Sequence, residues 1–92
     1  IINKETSEKE KQQKYEQEYY DRQGRLICGC FEEERWLYSY DFEGRCLECV
    51  HQLLLQGSWQ EKHIDQYLYC GKDKVIVLRD DKLYKVLIFK QG

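Results

Sequence analysis

Tyr38-Ser39-Tyr40-Asp41-Phe42-Glu43-Gly44-Arg45-Cys46-Leu47-Glu48-Cys49-Val50 is the stretch on which the fold turns. Twenty residues upstream, Tyr20-Asp21-Arg22-Gln23-Gly24-Arg25-Leu26 repeats its central layout: an aromatic, an aspartate, two free positions, a glycine and an arginine, then apolar residues. An aspartate opening a turn can accept from the backbone two residues on, and glycine enters the left-handed region that returns the chain. Asp21, Gly24, Asp41 and Gly44 are therefore expected to form two hairpin turns joining antiparallel strands. Before the second turn, Trp36, Tyr38 and Tyr40 alternate with Leu37 and Ser39, which puts the aromatics on one strand face.

Outward from this centre the strand pattern continues. Leu26, Cys28 and Cys30 share a face with Ile27 and Phe31 opposite, and Glu32-Glu33-Glu34 reads as a solvated loop. Cys46 to Leu55 is a third apolar stretch, its end read as strand rather than helical turn, closed by Gln56-Gly57-Ser58. Tyr67 to Cys70 turns at Gly71-Lys72-Asp73 into Lys74 to Leu78. Arg79-Asp80-Asp81-Lys82 then turns into Leu83 to Phe89, a worn copy of the motif with aspartate kept and glycine lost. The expectation is a mainly β chain: an antiparallel up-and-down meander of about six or seven strands, curled to bury its aromatic face.

Composition agrees. The 92 residues suit one domain, aromatic residues make up 14%, eight of them tyrosines, and alanine is absent. Tyrosine, valine and isoleucine favour strands, whereas alanine is the best helix former. Residues 1–18 stand apart as an almost wholly polar arm, with residues 19–92 as the β-rich domain. Thr6 or Ser7 can cap a helix, and Glu5–Lys9 and Glu10–Lys14 are spaced for surface pairs. No apolar stripe is present to dock it, so the arm reads as a projecting helix or as a tether that orders beside a partner.

At its two turn motifs the chain resembles the YD repeats of Rhs-type and teneurin-type proteins. Their pattern is an aromatic, Tyr-Asp, two variable residues, Gly-Arg-Leu, and alternating apolar positions. Tyr19 to Ile27 matches it closely, and Tyr38 to Val50 matches with Cys46 in place of leucine. Residues 78–87 match faintly and residues 1–18 not at all. The chain is similar to the same degree to small bacterial hairpin-repeat proteins related to MORN repeats. The YD resemblance implies β-hairpins winding into a shell or wall, often around a toxic domain in bacterial polymorphic toxins.

Chemistry is sparser. Five cysteines leave at least one unpaired by disulfides. Cys28-x-Cys30 and Cys46-x-x-Cys49 make four thiols in two close pairs, the ligand number of structural zinc, with His51 or Cys70 as substitutes. Strand geometry opposes that site. Residues two apart lie about 7 Å apart along a strand, and residues three apart point to opposite faces. Buried small thiols, or a bridge from Cys28 or Cys30 to a neighbouring strand, are the other readings. His63 with Glu61 and Asp65 offers an acid–base set for a small nuclease or hydrolase, since a spacing of two shares a strand face. No nucleophile and base are placed together by sequence.

Charge restricts partners. Residues 1–18 sum to −1, residues 19–70 to −4 and residues 71–92 to +3. Three excess positive charges are few for nucleic acid, where affinity comes from many phosphate contacts. Neither a run of 18 apolar residues nor a signal-peptide layout is present, so the expectation is a cytoplasmic chain with reduced thiols and no membrane span. The function expected from sequence is a non-enzymatic protein-binding module, with Trp36, Tyr38 and Tyr40 as interaction surface and residues 1–18 available for self-association. The small hydrolase and a zinc-stabilised interaction module are the alternatives, and no other cofactor is expected.

Overall fold

The computed structural model describes residues 15–89. They form seven strands: β1 Gln17–Tyr20, β2 Leu26–Phe31, β3 Glu34–Tyr40, β4 Cys46–Leu55, β5 Ser58–Cys70, β6 Lys74–Arg79 and β7 Lys82–Ile88. All lie in one antiparallel sheet in chain order, each beside the next. The expected up-and-down meander is the observed architecture. Gln17 and Glu18, assigned by sequence to the arm, instead pair with Cys30 and Gly29 in β1. Glutamate and glutamine are tolerated there because β1 is the first strand of the sheet among the described residues and both side chains are exposed. The rest of that arm, residues 1–14, where most of the expected helix or tether falls, lies outside the described residues.

The Asp-x-x-Gly-Arg motif is a closed hydrogen-bonded unit, seen twice. Asp21 Oδ1 accepts from the amides of Gln23 and Arg25, each at 2.9 Å, and its Oδ2 accepts from Arg25 Nε at 2.8 Å. The Asp21 amide donates to the Arg25 carbonyl and the Gly24 amide to the Asp21 carbonyl. Asp41 repeats every contact with Glu43, Gly44 and Arg45. Gly24 and Gly44 have φ of 81° and 86°, where a Cβ is strained whatever space surrounds it.

Each arginine then stacks on a tyrosine of a later strand. Arg25 lies over Tyr40 and Arg45 over Tyr69, while the tyrosine hydroxyls donate to the carbonyls of Leu26 and Cys46. A motif aspartate thus fixes its arginine, and the arginine and following strand start fix a tyrosine. The Asp80 turn works differently. Asp80 and Asp81 both have positive φ, as do Gln56 and Gly57, the two-residue geometry that suits the twist of a hairpin. Asp80 Oδ1 accepts from the Ile64 amide on β5 and Oδ2 lies 3.3 Å from His63 Nδ1. The turn that sequence reads as a worn copy is a separate device, with its aspartate spent on a neighbouring strand.

Register puts Gly29, Trp36, His51 and His63 in one row across β2 to β5, and Tyr38, Cys49, Asp65 and Arg79 in the next. Four bulges interrupt the ladders, at Tyr19/Tyr20, Ser39/Tyr40, His51/Gln52 and Val77/Leu78. Bulges sharpen twist and bend the strand. The sheet curls until Tyr38 of β3 and Leu87 of β7 line one cavity, although four strand spacings would separate them by about 19 Å on a flat sheet. Contacts nevertheless join only consecutive strands, so the described residues form an open trough and not a closed barrel. Its floor holds the buried apolar side chains: Cys49, Val75 and Val77.

Candidate interaction surfaces

The trough has a cavity of about 320 Å³ with a wall of four tyrosines, Tyr38, Tyr40, Tyr67 and Tyr69, and with Cys46, Val75, Lys85, Leu87 and Phe89 also lining it. The aromatic alternation of β3 explains half of this wall. Tyr67 and Tyr69 repeat the alternation on β5, so the same period of two exposes a second pair that sequence reading treated only as strand. Burial raises the Tyr38 hydroxyl far above the ordinary phenol range, with the Tyr15 hydroxyl adding to it, so Tyr38 stays neutral and hydrogen-bonded. Tyr40 and Tyr69 are also raised, mainly by burial.

Trp36 occupies a different place from its two companions. Its ring stacks on His51 at 4.6 Å with an 8° tilt, and the Tyr15 ring lies 5.4 Å away, tilted by 46°. Tyr15 fits there because β2 has Gly29 beneath it: a Cβ on Gly29 would sit 2.6 Å from the ring. Trp36 is half-buried and packs against Tyr15 and His51, whereas Tyr38 and Tyr40 line the cavity.

Beyond the trough lies the histidine row. His51 Nε2 is 2.8 Å from Glu34 Oε1, and the His51 and His63 rings are 6.2 Å apart. His63 meets Asp80, not Glu61 or Asp65. The bulge at His51/Gln52 pairs His63 with His51 but Glu61 with Gln52, which turns Glu61 to the opposite face. Asp65 shares the face of His63, yet Arg79 Nε and Nη2 hold its two oxygens at 2.8 and 3.0 Å. The set His63, Glu61, Asp65 is not assembled. The Asp80 carboxyl lies below its ordinary range, first through the Ile64 amide and then through His63.

The four-thiol set is also divided. Cys28 pairs with Leu37 and Cys30 with Arg35, on the outer face away from Trp36 and Tyr38. Cys49 pairs with Tyr38 and Cys46 with Tyr40, on the inner face. The bulge, with Leu47 as the extra residue, overturns the expectation that Cys46 and Cys49 point apart. It does not bring them to Cys28 and Cys30, because the sheet lies between. Among the described residues no group of three or more His, Cys, Asp or Glu is arranged to hold a metal ion. Burial pushes the Cys49 thiol up to about 12 and raises Cys46 too.

The outer face carries exposed apolar side chains towards its last strand. Leu68 of β5, Ile76 of β6 and Val86 of β7 form one row, with Ile88 and Leu83 to either side. Leu83 is 68% exposed and Ile88 53%. Phe42, at the tip of the second motif turn, is 95% exposed. Nearer β2, Arg35 donates to Gln52 Oε1 and stacks 4.2 Å over Trp59, covering that part of the face. No described helix is long and apolar enough to cross a membrane. No family model, curated protein or solved structure matches this chain.

Proposed function

We propose that this chain is a non-enzymatic protein-binding module that receives an extended segment of a protein partner along β7. The observation that carries the reading is the character of that strand. Among the described residues β7 is the last strand of the sheet, and it leaves Leu83, Val86 and Ile88 exposed. A sheet edge offers backbone donors and acceptors, and alternate side-chain pockets supply selectivity. Exposed apolar patches of this sort favour protein contact. The +3 charge of residues 71–92 favours an acidic strand, so the partner segment should alternate apolar and acidic residues. The two Tyr-Asp-x-x-Gly-Arg units support a bacterial setting of the toxin–immunity or repeat-shell kind, and the domain needs no cofactor for this role.

A photo-crosslinking residue at position 88, compared with one at Glu43, tests the proposal. The expected result is a defined heteromeric adduct at position 88, absent at position 43 and abolished by Val86→Lys with Leu83→Lys. Equal labelling at both positions, or adduct formation that survives the two lysines, would remove β7 as the binding edge.

A further inference from the structure

Cys28 and Cys30 sit on the outer face with their Sγ atoms 3.7 Å apart, and Gly29 lies between them. Both side chains are half-buried, so a small reagent can reach them. Strand residues two apart have Cα atoms about 6.6 Å from one another, at the upper end of the span that disulfides bridge, about 4.4–6.8 Å. A small pinch of β2 closes the gap. Glycine is the residue that gives most easily to such a pinch.

We propose that Cys28 and Cys30 are a redox-active dithiol that closes to an intrastrand disulfide by exchange with a small disulfide of the glutathione type. The Cys30 thiolate attacks one sulfur of the oxidised reagent, forming a mixed disulfide and releasing one glutathione thiolate. Cys28 then attacks the Cys30 sulfur beside it, and the second glutathione leaves. Two protein thiols are oxidised, one reagent disulfide is reduced to two thiols, and the two protein protons end on the released glutathiones. Burial, then Cys30, raises the Cys28 thiol while Arg35 opposes them, which suits Cys28 to the second step, against a disulfide already held at its side. The other thiols lack this arrangement: Cys46 and Cys49 face inward, and Cys70 is exposed without a cysteine next to it on its own face.

Closure has a reporter on the far side of the sheet. The Tyr15 ring rests directly on Gly29, so close that a Cβ there would meet it at 2.6 Å. Moving Gly29 shifts Tyr15, and with it the environment of Trp36.

The experiment treats the full native chain with oxidised glutathione, alkylates it and digests it with trypsin. Cleavage after Arg25 and Arg35 yields one peptide, residues 26–35, that holds Cys28 and Cys30 and no other cysteine. The expected peptide has lost two hydrogens and carries no alkyl group, and in a Trp59→Phe background, where Trp36 is the sole tryptophan, oxidation shifts the emission. In Cys28→Ser the peptide keeps glutathione on Cys30, and in Cys28→Ser/Cys30→Ser the emission shift is lost. Recovery of the wild-type peptide with both thiols alkylated, or with glutathione on each, would overturn the proposal. An emission shift that persists in the double variant would overturn the link to Gly29.

Discussion

The first four strands and the last three are held by different means. In β1 to β4 the connections that carry the motif are self-contained: aspartate, glycine and arginine satisfy one another within five residues, and stacking on Tyr40 and Tyr69 attaches the unit to the sheet. In β5 to β7 the connections lean on neighbours, with Asp80 bonded to β5, and of the three apolar residues buried among the described ones, Val75 and Val77 lie on β6. One region is specified by local turn chemistry, the other by burial. A seven-stranded single layer needs both, because a sheet with one packed face has little core to spare.

Mutations at each end can break that contrast. The largest effect is expected at the floor of the trough: Val77→Ala should lower unfolding free energy by about 2 kcal/mol, from lost burial and the cavity left behind, read by urea denaturation. Next comes Gly44→Val. A β-branched residue at φ of 86° should destabilise by about 1–2 kcal/mol, while Glu43→Ala beside it should leave the midpoint unchanged. A Gly44 effect above that of Val77 would mean that turn chemistry, not burial, dominates throughout.

Gly29→Ala should act more on arrangement than on stability. Its Cβ displaces Tyr15, so Trp36 emission should shift while far-ultraviolet circular dichroism stays strand-like. The smallest effect is acid sensitivity. Asp21 and Asp41 are held below 3.8, each first by the amide of the motif arginine, Arg25 or Arg45. A carboxylate lowered in the folded state contributes stability that is complete above its unfolded value and fades as pH falls through the folded one. Melting temperature should therefore fall below about pH 4, and Asp21→Asn/Asp41→Asn should flatten that part of the profile. If the double variant keeps the wild-type acid slope, the motif carboxylates do not set it.

Much of the fold was legible because its signals are short-ranged. The Asp-x-x-Gly-Arg spacing marked both turns, and the alternation of Trp36, Tyr38 and Tyr40 marked the inner face. What sequence misplaced was governed by the bulges. A bulge adds one residue and reverses the parity of everything counted across it, which is why Cys46 shares the face of Cys49 and Glu61 leaves that of His63. No residue type announces these positions. The pairing of His63 with Asp80 depends on β5 meeting the β6–β7 turn, a contact between residues 17 apart in the chain that local pattern does not carry. The Tyr67 and Tyr69 wall was within reach, since it repeats the period already seen on β3.

The Leu47 bulge separates chain length from side-chain facing. Cys46 and Cys49 stand opposite Tyr40 and Tyr38, so one residue between them is surplus to the ladder. Deleting Leu47 would leave a regular strand with every facing residue unchanged, and would remove only local bend. Deleting Ser39 would carry the opposite penalty, turning Tyr40 outward from the wall. At such positions a gene can gain or lose a codon and alter curvature without rewriting which side chains look into the trough.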